Sequence, residues 1–137
     1  MSVQGRVVLD VPAKPEYLLL ARLAVTGVGR SAGSSEETIA DLKLAITEAV
    51  ANAVKHAYPD DAPGRITVEL EATTGALEIA VSDTGRGVGV LDEAPSGDDE
   101  PGEGGMGLSI IRAVADEVEL TAGPGGVGTR VRFTSSF

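Results

Sequence analysis

Three polar residues stand four positions apart in the middle of the chain: Glu48, Asn52 and His56. Residues at this spacing lie on one flank of a helix, so the carboxylate and the amide can reach the same ligand. A carboxylate can accept a proton or orient a water molecule, and an amide oxygen can bind Mg²⁺, a hard cation that prefers oxygen ligands. The alternative interpretation is a surface Glu–Asn pair with a histidine at the end of its helix.

A second candidate is Asp83, which ends a strand pattern of alternating apolar residues. Because Asp83 continues the parity of Ile79 and Val81, its carboxylate is expected on the buried face, where it needs a polar partner. An adenine amino group would serve, since it donates hydrogen bonds, and Gly85 and Gly87 would let the backbone approach a flat ring. The alternative is a strand-ending Asp-Thr-Gly turn that bonds its own backbone.

Thr129 lies in the last strand pattern of the chain and shares its parity with Val131 and Phe133. Its hydroxyl is therefore expected on the same buried layer as Asp83. The alternative is a buried threonine that simply hydrogen-bonds the backbone.

A glycine-rich segment, residues 102–108, leads directly into a predicted helix and contains Gly105, Met106, Gly107 and Leu108. Successive glycine amides at a helix N-terminus can bind an anion, because the peptide dipoles favour it and no Cβ blocks a phosphate. No Lys-Ser or Lys-Thr follows, and a loop rather than a strand precedes the segment. It is therefore neither a P-loop nor a dinucleotide-binding fingerprint. A flexible hinge is the alternative.

Composition limits the class of protein. A chain of 137 residues fits one domain. Its 11 basic and 21 acidic residues give a net charge of −10, which disfavours binding to nucleic acid or to an anionic membrane surface. The chain has no cysteine and one histidine, which excludes a thiolate nucleophile and a multi-histidine metal site. With no signal-peptide pattern and no apolar run of about 18 residues, a cytoplasmic location is expected.

The elements that position these residues follow from the periodicity of apolar residues. The pattern predicts a strand over residues 3–11, helices over 15–29 and 38–57, and a hairpin of strands 66–72 and 77–81. A loop over 88–103, a helix over 107–118, and a second hairpin of strands 118–120 and 127–133 follow. Turns are predicted at Thr74-Gly75 and at residues 124–126. Only one face of the strands is apolar. The predicted class is therefore α+β, a two-layer sandwich whose mostly antiparallel mixed sheet carries helices on one face.

The predicted loop between the third strand and the third helix has an unusual composition. Val88–Glu103 holds six acidic residues, two prolines and no lysine or arginine. Loops longer than about 12 residues are usually functional lids or disordered segments.

In order and spacing, these segments resemble a known superfamily. Glu48-x3-Asn52-x3-His56, Asp83-x-Gly85-x-Gly87, Gly102-x-Gly104-x-x-Gly107 and Gly128-Thr129 look like the N, G1 and G2 boxes and the final Gly-Thr of the GHKL (Bergerat-fold) ATPases. The resemblance covers about Asp41–Val131. Residues 44–58 and 105–111 are most similar to the anti-sigma factor, serine/threonine kinase branch. The resemblance implies a single histidine-kinase-like ATPase domain over residues 1–137.

The resemblance also implies a role for the polar residues. Asp83 would bind the adenine amino group of ATP, and Thr129 would support it directly or through water. Asn52 would hold Mg²⁺ against the phosphates. Glu48 would be the catalytic general base, taking the proton of an attacking protein hydroxyl or of water.

The other positions carry over in the same way. Gly85 and Gly87 would make room for the nucleotide, and Gly105 and Gly107, with their neighbours Met106 and Leu108, would cradle the β and γ phosphates. His56 would lie near the phosphates or serve only at the helix end. The acidic segment, about residues 88–104, would be the ATP lid, and Arg22 would contact a partner protein.

The function implied by the resemblance is an ATP-binding anti-sigma regulatory factor with serine/threonine protein kinase activity toward an anti-sigma antagonist. Its partners would be a sigma factor and a STAS-type antagonist, with no direct contact to nucleic acid or membrane, and the chain would form a homodimer. The alternative is a catalytically weak, ATP-dependent partner-switching module, which needs Asp83 and Asn52 but not Glu48 as a base. A globular domain that binds no nucleotide is the third interpretation.

Overall fold

The computed structural model describes residues 3–56, 64–83, 104–123 and 128–136. The elements in these residues are, in chain order, β1 (Val3–Pro12), a short 3₁₀ helix (Pro15–Tyr17), α1 (Leu18–Ser31), α2 (Glu36–His56), β2 (Arg65–Thr73), β3 (Ala76–Asp83), α3 (Gly104–Val114), β4 (Glu117–Ala122) and β5 (Thr129–Ser136).

The strands form one five-stranded sheet in the order β1-β2-β3-β5-β4. Every pairing between the described strands is antiparallel, so the predicted α+β class is confirmed, while the expected mixed character of the sheet is not seen there. The predicted hairpin turn at Thr74-Gly75 joins β2 to β3, and Gly75 adopts a φ of +82°, which favours glycine.

The helices cover one face of the sheet and enclose the core. α1 contacts β1 and β2, α2 contacts β2, β3 and β5, and α3 contacts α2 and β4. Alternate residues of β2, β3 and β5 point into this layer and meet the apolar stripe of α2. The largest fully buried side chains are Phe133, Ile39, Leu42, Ile46, Ile66, Leu70, Leu77, Ile79 and Ile111.

The opposite face of the sheet, here called the outer face, is covered by ion pairs instead of helices. Arg130 Nη1 lies 2.9 Å from Glu69 Oε1, and Arg6 Nη2 lies 2.7 Å from Glu69 Oε2. The hydrogen bond from Arg130, aided by Arg6, holds the pKa of Glu69 below its ordinary value. The small outer-face residues Ala80 and Ser82 of the central strand are buried.

A second set of charges lies beside the first on the outer face. Arg132 pairs with Glu78 and donates to Glu119 Oε1 from Nη2 at 2.8 Å. Both hydrogen bonds raise the pKa of Arg132. Arg6, Arg130 and Arg132 therefore pair with acidic residues of neighbouring strands on the outer face.

The junction of α1 and α2 departs from the sequence prediction. Gly27 and Gly29 were expected to end the first helix near residue 29, but α1 continues to Ser31. Gly29 is buried inside the helix, where a Cβ would lie 2.8 Å from Ile39 Cγ1. The glycine is thus needed for the close approach of α2 rather than for a helix end, and the turn glycine is Gly33, at a φ of +86°.

The helix near the end of the chain is also displaced from its predicted bounds. It was expected over about residues 107–118, whereas α3 runs over Gly104–Val114 and Val118 belongs to β4. Asp116 donates from its backbone N to the carbonyl oxygen of Thr134, 2.8 Å away. This bond lies immediately before β4, and the strand predicted at residues 118–120 is confirmed as part of β4. The turn predicted at residues 124–126 lies outside the described residues.

The long helix agrees better with its prediction, since α2 spans Glu36–His56 against an expected 38–57. Its start is capped: the Thr38 backbone N donates to Ser35 Oγ at 3.1 Å. Arg30 at the end of α1 donates to both carboxylate oxygens of Glu36. No helix in the described part of the chain is long and apolar enough to span a membrane.

Candidate functional site

Asp83 and Thr129 face each other across the sheet. They are direct partners in the register of β3 and β5, on the face that the helices cover. Asp83 is 7% exposed and Thr129 is 4% exposed, so both polar side chains are buried at the end of the apolar layer. Directly opposed residues of antiparallel strands have Cβ atoms about 5 Å apart. The sequence prediction that the two share one buried layer is confirmed.

Glu48 and Asn52 lie one turn apart on α2, as the spacing predicts. Both are half-buried, at the margin of the apolar stripe that Ala49 and Ala53 continue. An acid and an amide in this position remain reachable from outside while the helix holds their backbone fixed. His56 is the last residue of α2, and the structure describes its backbone alone.

The described part of the glycine-rich segment, from Gly104 onward, forms the first turn of α3. This helix begins at Gly104, three residues earlier than predicted, so that Gly105, Met106 and Gly107 lie within its first turn and Leu108 follows them. The backbone N–H groups at a helix start have no carbonyl partner within the helix. They concentrate partial positive charge at this end of α3, as an anion site requires.

α2 is the element that these parts share. It contacts β3, which carries Asp83, β5, which carries Thr129, and α3, which begins with the glycines. The fold therefore gathers around one helix the residues that the sequence places in separate segments. Gly85, Gly87 and the acidic residues 88–103 lie outside the described residues, so their predicted roles are untested.

Arg22 is not part of this group. It lies exposed on α1, which contacts β1 and β2 at the other side of the helix layer. Leu19, Leu20 and Leu23 surround it in sequence and are 61%, 48% and 57% exposed. The periodicity of apolar residues predicted a helix over residues 15–29 and gave no indication that these leucines are exposed. The available signal was that the run of apolar residues in this helix is too wide for one buried stripe.

The chemistry available to the arrangement follows from its groups. A buried carboxylate beside a hydroxyl can bind an amino-bearing heterocycle, and a half-buried carboxylate can accept a proton. The first amides of a helix, which have no carbonyl partner within that helix, can bind phosphate. The amide oxygen of Asn52 is a hard donor that suits Mg²⁺ together with phosphate oxygens. Among the described residues, no cluster of three or more histidine, cysteine, aspartate or glutamate side chains could hold a metal ion.

Comparison with known families agrees with this geometry. The family model described as the histidine kinase-like ATPase domain matches residues 11–135. The chain belongs to this family. Membership makes it an ATP-using domain, and the match includes the strand ends, α2 and the glycine turn that the site requires.

Similar proteins with curated names are serine-protein kinases. The chain is 39% identical over 127 residues to serine-protein kinase RsbW of Listeria innocua, and the aligned region covers 87% of this chain and 81% of that protein. It is 38% identical to the protein of the same name from Oceanobacillus iheyensis, with coverage of 88% and 81%. The Bacillus licheniformis protein of that name is 35% identical.

A solved structure shows the same fold. The crystal structure of the RsbU and RsbW domains of Rv1364c from Mycobacterium tuberculosis superimposes with a TM-score of 0.72. The match covers 97% of this chain and 32% of that longer chain, at 23% identity. This likeness supports the architecture derived above.

Proposed function

We propose that this chain is an anti-sigma regulatory factor that binds ATP and acts as a serine/threonine protein kinase on an anti-sigma antagonist. The observation that carries the proposal is a half-buried Glu48 on the same flank of α2 as Asn52. A module that only binds ATP has no need of a general base at this place. Identity of 34–39% to serine-protein kinases over most of the chain supports the same conclusion.

The nucleotide would lie between α2 and the ends of β3 and β5. Asp83 accepts a hydrogen bond from the adenine amino group, and Thr129 supports that contact directly or through water. The amides that begin α3, at Gly105 and Gly107 with their neighbours Met106 and Leu108, hold the β and γ phosphates. The burial of Asp83 and Thr129 as direct partners supports this assignment, because the two polar side chains lie together at the end of an apolar layer.

In the proposed reaction the γ-phosphoryl group of ATP passes to a serine or threonine hydroxyl, and ADP leaves. Glu48 takes the proton that the hydroxyl loses. Asn52 would hold Mg²⁺, which neutralises phosphate charge when bound. Transfer of this kind depends mainly on positioning and charge neutralisation, so one base and an amide cradle are a sufficient contribution from the chain.

The remaining assignments belong to the same proposal. Gly85 and Gly87 make room for the nucleotide, His56 lies near its phosphates, and residues 88–104 form the lid of a single domain over residues 1–137. The exposed surface formed by Arg22 with Leu19, Leu20 and Leu23 is the contact for a partner protein, either the sigma factor or the STAS-type antagonist. The protein is a cytoplasmic homodimer.

The test separates the base from the binding site. Purified chain is incubated with γ-labelled ATP, Mg²⁺ and a candidate antagonist, and label on the antagonist is measured beside ATP affinity. Glu48→Ala is expected to abolish transfer and leave ATP affinity unchanged. Glu37→Ala, an exposed acid in the first turn of the same helix, is the matched control and should retain both. Equal loss of transfer and binding in Glu48→Ala would contradict the role of general base.

A capture experiment identifies the partners. The chain is used to recover proteins from its host lysate with Mg-ATP and again with Mg-ADP. A sigma factor, or a small antagonist carrying a new phosphoserine or phosphothreonine, is the expected result. Nucleotide-dependent capture without phosphate transfer would favour the partner-switching module instead.

A further inference from the structure

β4 ends the sheet on the side opposite β1, and one edge of it has no partner strand among the described residues. This strand is six residues long and pairs only with β5. Just beyond it, the backbone N of Gly123 donates to the carbonyl oxygen of Gly128 at 3.2 Å, in continuation of the register of β4 with β5. Antiparallel ladders alternate, so the N–H and C=O groups of Val118, Leu120 and Ala122 point away from β5. These groups form the open edge of β4.

The side chains of β4 differ in chemistry between the two faces of the sheet. Glu117 and Glu119 are exposed on the outer face, whereas Val118 and Leu120 are half-buried and pack against the core on the helix-covered face. A strand added at the open edge would therefore place one set of residues beside the glutamates and the alternate set beside Val118 and Leu120. In an antiparallel ladder the glutamates would lie in the non-hydrogen-bonded pairs, where facing side chains approach most closely.

The outer face beside this edge carries an excess of negative charge. A cavity of about 380 Å³ lies there, lined by residues of β4 and β5, namely Glu117, Val118, Glu119, Arg132 and Thr134. The guanidinium of Arg132 already pairs with Glu78 and Glu119. Glu117 forms no ion pair with another described residue. Three carboxylates thus surround one guanidinium, and the cavity is suited to a second basic side chain.

A second copy of β4 does not supply that basic side chain. β4 contains no lysine or arginine, so no register of β4 against another β4 sets an acidic residue opposite a basic one. A pairing centred on Glu119 would instead place two glutamates opposite each other, which is destabilising. The segment 88–103 of the chain, with six acidic residues and no basic one, is equally unsuited. The charge therefore favours a different, basic partner.

We propose that the open edge of β4 binds an extended basic segment of a partner protein, which joins the sheet as a further antiparallel strand. This segment has lysine or arginine at alternate positions, facing Glu117 and Glu119, and apolar residues between them, facing Val118 and Leu120. Antiparallel addition is favoured because every pairing between the described strands is antiparallel and because such ladders are slightly more stable per residue.

The open edge of β4 is a second partner surface, separate from the exposed leucines of α1. α1 contacts β1 and β2, at the other side of the sheet from β4. In strand addition the main-chain hydrogen bonds supply affinity, and the alternate side chains supply specificity. Binding at β4 goes beyond the proposed function and does not depend on kinase activity.

A peptide that alternates lysine and valine over seven residues, acetylated and amidated at its ends, tests the proposal. It is titrated into the ¹⁵N-labelled chain, and deuterium exchange of each backbone amide is measured by NMR. With saturating peptide, the amides of Val118, Leu120 and Ala122 should exchange at least tenfold more slowly, because they gain hydrogen bonds. A peptide that alternates glutamate and valine is the control and should leave the exchange of these amides unchanged.

Methylation of the peptide backbone tests strand addition without altering the protein. N-methyl groups on the valines remove the N–H groups that would bond to β4, whereas N-methyl groups on the lysines remove N–H groups that point away from it. The valine-methylated peptide should bind at least tenfold more weakly than the unmodified peptide. The lysine-methylated peptide should bind as the unmodified peptide does.

Charge reversal tests the side-chain contacts. Glu117→Lys should weaken binding of the lysine–valine peptide roughly tenfold, because an attraction becomes a repulsion, and should permit binding of the glutamate–valine peptide. Glu71→Lys is the matched control: it changes the net charge equally but lies on β2, and should bind the lysine–valine peptide as the wild type does. Circular dichroism checks that both variants are folded.

Four results would overturn the proposal. Absence of binding at millimolar peptide would remove the site, and protection of amides in β1 instead of β4 would place it at the other edge. Equal binding of the two methylated peptides would indicate general attraction to a chain of net charge −10 rather than strand addition. Weaker binding of the lysine-methylated peptide alone would contradict the antiparallel orientation. Phosphate transfer to the antagonist, measured without peptide, reports on the kinase proposal independently.

Discussion

The two faces of the sheet use polar residues in different ways within the same strands. On the helix-covered face Asp83 lies opposite Thr129, and one position along, on the outer face, Ser82 lies opposite Arg130. Arginines of the outer face pair with acidic residues of the same sheet, as Arg130 does with Glu69. The inner pair instead ends an apolar layer beneath α2. The outer face therefore serves the fold, and the inner end is the place suited to a ligand.

Substitutions on the two faces should differ most in their effect on the free energy of unfolding. Phe133 is fully buried on the inner face of β5, and Phe133→Ala should lower the free energy of unfolding by about 3–5 kcal/mol, because a cavity replaces the ring. Thr134→Ala, the next residue on the outer face, should change it by less than about 0.5 kcal/mol. Urea denaturation of both variants measures the contrast. Similar losses would mean that the faces do not differ as described.

The helix layer adds a steric requirement that the outer face lacks. Gly29→Ala places a methyl group against Ile39, and we expect a loss of about 1–2 kcal/mol in unfolding free energy because α1 and α2 must separate. Gly27→Ala is the control, since nothing lies within 4 Å of its added Cβ and helix propensity should stabilise it by about 0.5–1 kcal/mol. Thermal unfolding that ranks the two variants the other way would refute this packing.

ATP affinity should depend on the inner polar pair, Asp83 and Thr129, and not on the outer-face pair beside it, Ser82 and Arg130. Asp83→Asn is expected to weaken ATP binding more than tenfold, about 1.4 kcal/mol or more, since the acceptor for the adenine amino group is altered. Ser82→Ala, its outer-face neighbour, should bind ATP as the wild type does. Isothermal titration calorimetry measures both affinities. Unchanged affinity in Asp83→Asn would remove the adenine assignment.

The smallest effect is expected from the outer-face charges and depends on pH. The pKa of Glu69 is lowered in the folded state, so its contribution is complete above the ordinary value of 4.5 and disappears as pH falls through the lowered value. Glu69→Gln should therefore cost about 0.5–1 kcal/mol at neutral pH and nothing in stronger acid. Urea midpoints across pH test this, with Glu71→Gln as the control. A difference independent of pH would argue against the ion pairs as its cause.

Much of the architecture could be predicted because the local spacing of apolar and polar residues indicates the helices and strands and the faces that they bury. Alternation along β3 placed Asp83 on the buried face, and the four-residue spacing placed Glu48 and Asn52 on one flank of a helix. The predictions went wrong where a nonlocal contact overrides a local signal. Gly29 was expected near a helix end but is needed for contact with Ile39. Residues 115–116 were expected in the third helix but lead into β4, where the Asp116 backbone N donates to the Thr134 carbonyl oxygen.

Only part of the candidate site and of the predicted partner-contact helix was predicted correctly, because nonlocal contacts also decide where helices begin and which side chains are exposed. Gly104 and Gly105 were expected to precede the third helix, but α3 begins at Gly104, so both glycines lie in its first turn. The exposure of Leu19 and Leu23 was not predicted, since leucines at helical spacing read as core until the neighbouring elements are known. The roles of Gly85, Gly87 and His56 and of the acidic lid stay predictions.

The sequence by itself determined which residues share a face, because strand and helix geometry repeat every two and every 3.6 residues, whatever the rest of the chain does. It also supplied the motifs whose order indicates an ATP-binding domain. Only the tertiary structure decided that β5 inserts between β3 and β4, which sets Thr129 opposite Asp83, and that β1 is an edge strand among the described strands. Strand order depends on packing between residues far apart in the chain, and no local pattern encodes it.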